Sequence, residues 1–207
     1  MNTRRGLVLH AFLTLAVLVL CSGVASATDG VTLIDQNSFV NGFPLVISQP
    51  GSYRLSGNIH GDPKGFGAIQ INADNVTLDL NGFNIDAVSA PAIQGHRKDS
   101  NRNVEIRNGS ISDTTSGIEL PYFMHVTVRD LRITTLDREN YAPRDSAIAV
   151  GKYSIVHRIT TNGIINIDCP GVVTESVSEA SQLEIMGRAV SPCVDVNNSY
   201  GTARDGR

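Results

Sequence analysis

The 207-residue chain lacks tryptophan, has only 5% aromatic residues and contains no cluster of basic residues. The scarcity of aromatic rings argues against a dedicated carbohydrate-binding module, because such rings are large amphipathic platforms for ligands. A formal net charge of −3 without a basic patch offers no electrostatic site for nucleic acid, so we expect no nucleic-acid partner. The chain has one long apolar run, and no second run of the ~20 residues that a membrane span requires follows it.

The apolar run lies at the N-terminus and has the pattern of a signal peptide. Two arginines precede an apolar segment from Leu7 to Leu20, and Ala25-Ser26-Ala27 supplies small residues for cleavage. We therefore predict a signal peptide over residues 1–27, a secreted or periplasmic protein, and no membrane span after removal of the signal. Processing as a lipoprotein at Cys21 is the alternative, which the large residue before that cysteine disfavours.

The rest of the chain is organised around a strand pattern that occurs three times. It appears as NVTLDLNGFNI (Asn75–Ile85) and returns as NVEIRNGSI (Asn103–Ile111) and HVTVRDLRI (His125–Ile133). Each copy alternates apolar and polar residues, turns at a polar residue and ends in Ile, as a short strand followed by a turn would. The copies begin 28 and 22 residues apart, and the alignment of Val128–Leu131 with Val156–Ile159 adds another interval of 28. A variable interval around a constant pattern is typical of stacked coils that differ in loop length.

Other all-β folds fit this pattern less well. A β-sandwich or jelly roll gives no reason for one strand pattern to recur in step, and the Leu-x-x-Leu-x-Leu frame of leucine-rich repeats is missing. The segments NVTLDLNGF and NVEIRNGSI, each with Asn-Gly at the turn, resemble coils of right-handed parallel β-helix proteins of the pectate-lyase-like superfamily. The resemblance covers about residues 51–198 and implies an all-β, right-handed parallel β-helix (a solenoid).

The period of the repeat sets the expected organisation of the chain. About 150 repeat residues divided by the observed interval predict six or seven coils. We assign residues 51–198 to the β-helix, residues 28–50 to an atypical N-terminal cap and residues 199–207 to a polar tail. A cap is expected because an exposed terminal coil leaves apolar surface and unpaired backbone.

Alternation within each strand predicts which side chains point inward and which point outward. Two interior rows follow: Val76, Val104 and Val126 in one, and Leu78, Ile106, Val128 and Val156 in the next. Three outward columns follow as well. The main column contains Asp79, Arg107, Arg129 and His157, and a second column beside it contains Thr77, Glu105 and Thr127. The third column lies at the turn and contains Asn81, Asn108, Asp130 and Arg158. Four positions on consecutive coils span ~14 Å, a length suited to an extended polymer.

The outward columns suggest a groove for a polysaccharide or a cell-envelope glycan. In this interpretation Arg107 and Arg129 pair with sugar carboxylates, and His157 or an arginine removes a proton in a β-elimination. The candidate catalytic residues are Asp79, Arg107, Arg129 and His157, and the candidate substrate-binding residues are Glu105, Tyr122 and Phe123. Hydrolysis is a second possible chemistry, with Asp79 paired with another carboxylate.

A non-catalytic interpretation stands beside the enzymatic one. Opposite charges on neighbouring strands commonly form cross-strand pairs on a solvated sheet face, and an aromatic pair before a strand often packs on the core. The paired aspartates and the Gly-His-Gly, Arg-Ile-Lys and Asp-Pro-His-Asp signatures of enzymes with the resembling fold are missing from the sequence. The alternative function is therefore a non-catalytic cell-envelope or adhesion scaffold, and the sequence leaves open whether the protein is an enzyme.

The cysteines and the potential metal ligands complete the sequence predictions. Cys169 and Cys193 are 24 residues apart, about one coil, so they can lie at equivalent places on adjacent coils. In an exported protein we expect a disulfide between them. A calcium site needs several converging carboxylates, whereas the main column offers only Asp79. The histidine spacing matches no compact ligand motif. We predict no metal and no cofactor.

Overall fold

The computed structural model describes residues 30–88, 90–95, 101–136, 146–178, 183–186 and 193–200. The predicted signal peptide and all of the predicted polar tail after Tyr200 lie outside these residues. The described chain is an all-β parallel solenoid of about six turns, 62% strand, which confirms the predicted fold class.

Nineteen short strands make up the solenoid, with a single 3-10 helix, Gln36–Phe39, among the described residues. In chain order the strands are β1 (Val31–Ile34), β2 (Leu45–Ile47), β3 (Gly51–Leu55), β4 (Ile59–Gly61), β5 (Ile69–Ile71), β6 (Val76–Asp79), β7 (Asn84–Ala87), β8 (Pro91–Gly95), β9 (Arg102–Thr114), β10 (Ser116–Leu120), β11 (Met124–Thr135), β12 (Ser146–Val150), β13 (Ile155–Thr161), β14 (Ile164–Asp168), β15 (Val172–Thr174), β16 (Val177–Ser178), β17 (Leu183–Met186), β18 (Val194–Val196) and β19 (Ser199–Tyr200).

These strands form three faces, and each strand pairs in parallel with strands of the neighbouring coils. The first face contains β1, β3, β6, the N-terminal parts of β9, β11 and β13, then β15 and β18. The second face contains β4, β7, the C-terminal parts of the same three long strands, then β16 and β19. The third face is a separate seven-stranded sheet in the order β17-β14-β12-β10-β8-β5-β2.

A left-handed residue forms the corner between the first and second faces on four consecutive coils. Asn81, Asn108, Asp130 and Arg158 all have positive φ, between 52° and 61°. Within β11 the buried residues change phase at this corner, since two polar residues instead of one separate buried Val128 from buried Leu131. Asparagine and aspartate tolerate this backbone conformation better than most residues, which explains their recurrence at the turn in the sequence.

The predicted interior rows are confirmed by the register of the first face. Val76 pairs with Val104, which pairs with Val126, and the second row runs from Leu78 through Ile106 and Val128 to Val156. All seven side chains are at most 1% exposed. Because parallel pairing holds like positions next to each other, these apolar side chains form continuous stacks inside the solenoid.

The two ends of the described solenoid differ from a plain coil. Residues 31–47, within the segment predicted as a cap, contribute β1 and β2 to the sheets, and Asp35 caps the intervening 3-10 helix. At the other end Cys169 and Cys193 form the predicted disulfide, with their Cα atoms 5.2 Å apart. The final strand, β19, extends two residues beyond the predicted end of the β-helix.

Replacing a corner asparagine by leucine should destabilise the fold. The Asn108 side chain donates to Asp79 Oδ1 (3.1 Å), and the Asn81 side chain donates to the Leu55 carbonyl oxygen (3.2 Å). Asn108→Leu and Asn81→Leu each lose such a bond and place a branched side chain at positive φ, at a cost of about 1–3 kcal/mol. Urea unfolding will measure this cost. Asn108→Gly is the control, since it keeps the backbone freedom, and an unchanged midpoint in both leucine variants would contradict the shared corner.

Loss of the disulfide should lower the stability of the C-terminal coil. The crosslink closes a loop with a sequence separation of 24 residues, for which chain entropy gives a contribution of about 3 kcal/mol. We expect thiol alkylation in denaturant to label both cysteines only after reduction. The double variant Cys169→Ser with Cys193→Ser should unfold at lower urea, and its midpoint should not respond to reductant. Full alkylation without reductant would show that the thiols are free.

Candidate functional site

The predicted outward column of the first face is present in the structure. Asp79, Arg107, Arg129 and His157 occupy paired positions on β6, β9, β11 and β13. The column continues to Arg54 on β3, whose backbone pairs with that of Asp79. Asp79, Arg107 and Arg129, however, do not leave their charges available to a ligand, because each forms ion pairs.

The charged residues of this face form a continuous ion-pair ladder, Asp79–Arg107–Glu105–Arg129–Asp130–Arg158. In that order the closest nitrogen to oxygen distances are 3.3, 3.2, 2.7, 2.7 and 2.6 Å. Each arginine therefore contacts at least one carboxylate and each carboxylate at least one arginine. The three positive and three negative charges cancel within the ladder.

The electrostatics of the ladder oppose the predicted base chemistry. Hydrogen bonds to Asp130 and then to Glu105 raise the pKa of the Arg129 guanidinium above its ordinary value. An arginine that removes a proton must first be neutral, so a raised pKa is the wrong direction for a general base. The hydrogen bond from Arg158, followed by that from Arg129, lowers the pKa of Asp130, which keeps this carboxylate charged and paired.

Asp79 is the most enclosed member of the ladder, with a residue exposure of 9%. Burial by itself raises the pKa of its carboxyl, but three donors outweigh burial and the pKa lies below its ordinary value. The donors are the Asn81 backbone N–H (2.8 Å) and the side chains of Asn108 (3.1 Å) and Arg107 (3.3 Å). Asp79 thus acts as a structural anion that joins the corner to the ladder.

His157 is the last of the four predicted residues in the column and has different surroundings. Its Nδ1 is 2.8 Å from Thr174 Oγ1, and its Nε2 is 3.9 Å from the Glu175 carboxylate. The column continues from His157 to Thr174 and then to Val196. The four predicted catalytic residues therefore lie one after another on four successive strands and do not converge on one reacting atom.

The two residues of the predicted aromatic pair, Tyr122 and Phe123, differ in their exposure to solvent. Phe123 is only 1% exposed and contributes to the core, so its assignment as a substrate-binding residue is wrong in this arrangement. Tyr122 is 56% exposed. The two residues lie in the turn after β10, where a single step along the chain changes the direction of the side chain.

Tyr122 borders a cleft on the third face, outside the ion-pair ladder. The cleft has a volume of about 270 Å³ and is lined by Gln94, Gly95, Glu119, Pro121, Tyr122 and Ala149. Gln94, Glu119 and Ala149 are paired neighbours on β8, β10 and β12. The small Ala149 side chain leaves space beside Glu119, so the cleft combines an exposed ring with polar groups that sit on rigid strands.

The polar groups of this cleft belong to an outward column that the sequence analysis missed. The column contains Gln70, Gln94, Glu119, Ala149 and Asn166. In the sequence the column appears as a four-residue pattern. A small or apolar residue comes first, Ile second, the outward residue third, and an apolar or small residue fourth, as in AIQI, AIQG, GIEL, AIAV and IINI. The copies of this pattern are spaced less regularly than those of the first-face repeat, so the pattern is hard to recognise in the sequence.

The cleft side chains differ in their hydrogen bonding. Gln94 Oε1 accepts from the Gly67 backbone N–H (2.9 Å), which fixes the amide and leaves its Nε2 unpartnered among the described residues. The Glu119 side chain forms neither a hydrogen bond nor an ion pair in the described part of the chain. It contrasts with Asp79, Glu105 and Asp130, whose carboxylates are all paired.

The described residues contain neither a metal site nor a membrane-spanning helix. Within them no group of three or more His, Cys, Asp or Glu side chains is arranged to hold a metal ion. No helix in that part of the chain is long and apolar enough to cross a membrane. Comparisons with protein-family models, with curated proteins and with solved structures find no match to this chain.

The stability contribution of Asp79 should depend on pH. Because its pKa is lower in the folded state than in the unfolded state, its contribution is complete above the unfolded value of ~4 and is lost as the pH falls through the folded value. Asp79→Asn should therefore lower the melting temperature at about pH 6, and the difference from wild type should shrink towards about pH 3. Thermal melts across this range test the prediction. Asp113→Asn, at an exposed position, is the charge control, and an equal Asp79→Asn effect at both pH values would contradict the role of the carboxylate.

Proposed function

We propose that the protein is an exported β-solenoid that binds a polysaccharide through the third-face cleft without cleaving it. The observation that carries the proposal is the exposed Tyr122 ring beside the Gln94 Nε2 amide and the Glu119 carboxylate, two groups that have no partner among the described residues. An aromatic face together with a few fixed hydrogen-bonding groups is the usual composition of a small-ligand site. Sugars suit such a site because they present both hydroxyl groups and apolar C–H faces.

The outward column extends the surface that a polymer would contact. Gln70 lies next to Gln94 in the sheet, and Glu119 follows on the other side. The strands are spaced ~4.8 Å apart, so consecutive side chains along the solenoid present a regular row of donors and acceptors. A linear glycan lying along this row would meet a polar side chain on three consecutive coils, at Gln70, Gln94 and Glu119.

A lyase acting on an acidic glycan at the first face is the competing proposal. The observation in its favour is the alignment of Arg107, Arg129 and His157 on adjacent strands. The ion pairs of the ladder weigh against it, because sugar carboxylates would have to compete with Glu105 and Asp130 for the same guanidinium groups. A cell-envelope scaffold that binds no glycan is the third outcome that experiments must separate.

We also propose that the protein is exported and belongs to the pectate-lyase-like superfamily. The N-terminal signal-peptide pattern and the Cys169–Cys193 disulfide support export, because disulfides persist in oxidising compartments. The three-faced parallel solenoid and the recurring Asn-Gly corner support the superfamily assignment. Detection of the processed protein outside the cytoplasm, with its N-terminus near residue 28, tests the export proposal.

Glycan binding should depend on the exposed ring of the cleft. We expect Tyr122→Ala to weaken binding on a panel of neutral, acidic and amino polysaccharides by at least about tenfold, since an aromatic contact and its buried area are lost. Tyr153→Ala is the matched control, because Tyr153 is 53% exposed but lies outside the cleft lining. Equal losses in the two variants, or no binding by the wild type, would contradict the proposal.

The same panel separates binding from cleavage. Arg107→Ala, Arg129→Ala and His157→Ala should leave glycan binding unchanged, and no ultraviolet absorbance from an unsaturated sugar end should develop with the wild type. Absorbance that appears with an acidic glycan and disappears in these three variants would favour the lyase instead.

A further inference from the structure

The Glu119 carboxylate gives the third-face cleft a defined charge. Glu119 lies in β10, between β8 and β12, and its neighbours in the column, Gln94 and Ala149, are both uncharged. Among the described residues that line the cleft there is no lysine, arginine or histidine. A ligand in the cleft therefore meets a negative group that nothing in the described lining neutralises.

The contrast with the first face makes this charge informative. Every carboxylate in the ion-pair ladder has an arginine within 3.3 Å. The same solenoid thus pairs the acidic residues of the ladder, whereas β10 places beside a cleft an acidic side chain that has no partner among the described residues. A carboxylate of this kind repels an acidic sugar and attracts a cation, and its bond to a charged donor is stronger than one to a neutral hydroxyl.

Tyr122 adds a second group that favours a cation. Its ring is exposed at the rim of the same cleft, and the negative face of an aromatic ring attracts an ammonium group. The ring also packs against the C–H face of a pyranose. A carboxylate and a ring in one cleft match a sugar that carries a protonated amine on its ring.

From these two groups we infer that the cleft selects an amino sugar with a free, protonated amine, with Glu119 as the residue that determines this specificity. The inference rests on the proposed function, glycan binding at the same cleft, and adds the class of sugar. Gln94 Nε2 contributes a neutral hydrogen bond to a hydroxyl or ring oxygen. The cleft disfavours acidic glycans, which are the class of ligand that the sequence predicts for the outward column of the first face.

Isothermal titration of the purified protein with three oligosaccharides of equal length tests the inference. The probes are β-1,4-linked glucosamine oligomers, the same oligomers in N-acetylated form, and oligogalacturonic acid. We expect the free-amine oligomer to bind at least about tenfold more tightly than the acetylated one, with oligogalacturonic acid the weakest. The preference should decrease as salt is raised, because salt screens a partly exposed charge pair.

Two variants assign the preference to Glu119. Glu119→Gln keeps the shape of the side chain and should reduce the free-amine affinity to that of the acetylated oligomer, while the acetylated oligomer binds as before. Glu175→Gln removes the same charge from an exposed site on the first face and should leave all three affinities unchanged. Circular dichroism melts confirm that both variants are folded.

The outcomes distinguish the inference from the proposed function. Equal binding of the free-amine and acetylated oligomers, or a Glu119→Gln variant with wild-type preference, overturns the amino-sugar inference and leaves glycan binding in place. A preference lost equally in Glu175→Gln reflects net charge and overturns it too. Failure of all three oligomers to bind overturns both proposals.

Discussion

Parallel backbone pairing between successive coils is the constraint on which the rest of this molecule depends. Each strand hydrogen-bonds to strands one coil before and one coil after it, in a register that places like positions side by side. Within its column, each side chain therefore has one neighbour on the coil before it and one on the coil after it, each ~4.8 Å away. Apolar residues at inward positions stack into a core, and a charge at an outward position can pair with opposite charges in its own or an adjacent column.

The two outward surfaces satisfy this constraint differently. On the first face the long arginine side chains reach both along and across columns, so Arg129 contacts Glu105 of the preceding coil and Asp130 of its own. The result is a ladder of balanced charges that links neighbouring coils. On the third face the stretch of the column from Gln70 to Asn166 consists of amides, one carboxylate and Ala149, and the small Ala149 side chain leaves space for the cleft. The Gln94 Nε2 amide and the Glu119 carboxylate have no partner among the described residues and are available there for a ligand.

The sequence contained enough information for the fold and less for the site. Stacked rows and columns follow from a repeat whose apolar residues stay in step, and the left-handed corner follows from the recurrence of Asn81 and Asn108. Pairing partners do not follow from the repeat, because a guanidinium can reach several carboxylates and its choice depends on side-chain conformation. The orientation of Tyr122 and Phe123 was equally undetermined, since alternation ends where the strand turns. The column around Glu119 went unnoticed because loops of unequal length separate its copies.

Nearest-neighbour stacking also explains why the cleft can be rigid while the ends need support. In a solenoid each coil is stabilised by its interfaces with the coils on either side, so a terminal coil has one stabilising interface and a central coil has two. The disulfide links Cys193, just before β18, to Cys169 on the preceding coil, and β18 is the last strand of the first face among the described residues. β10 is the middle strand of the seven-stranded third face, with three strands on either side. Glu119 is thereby placed on the part of the sheet least subject to fraying. The backbone that carries Glu119 is therefore ordered before a ligand binds, which favours affinity through preorganisation, and binding has to order only the Glu119 side chain.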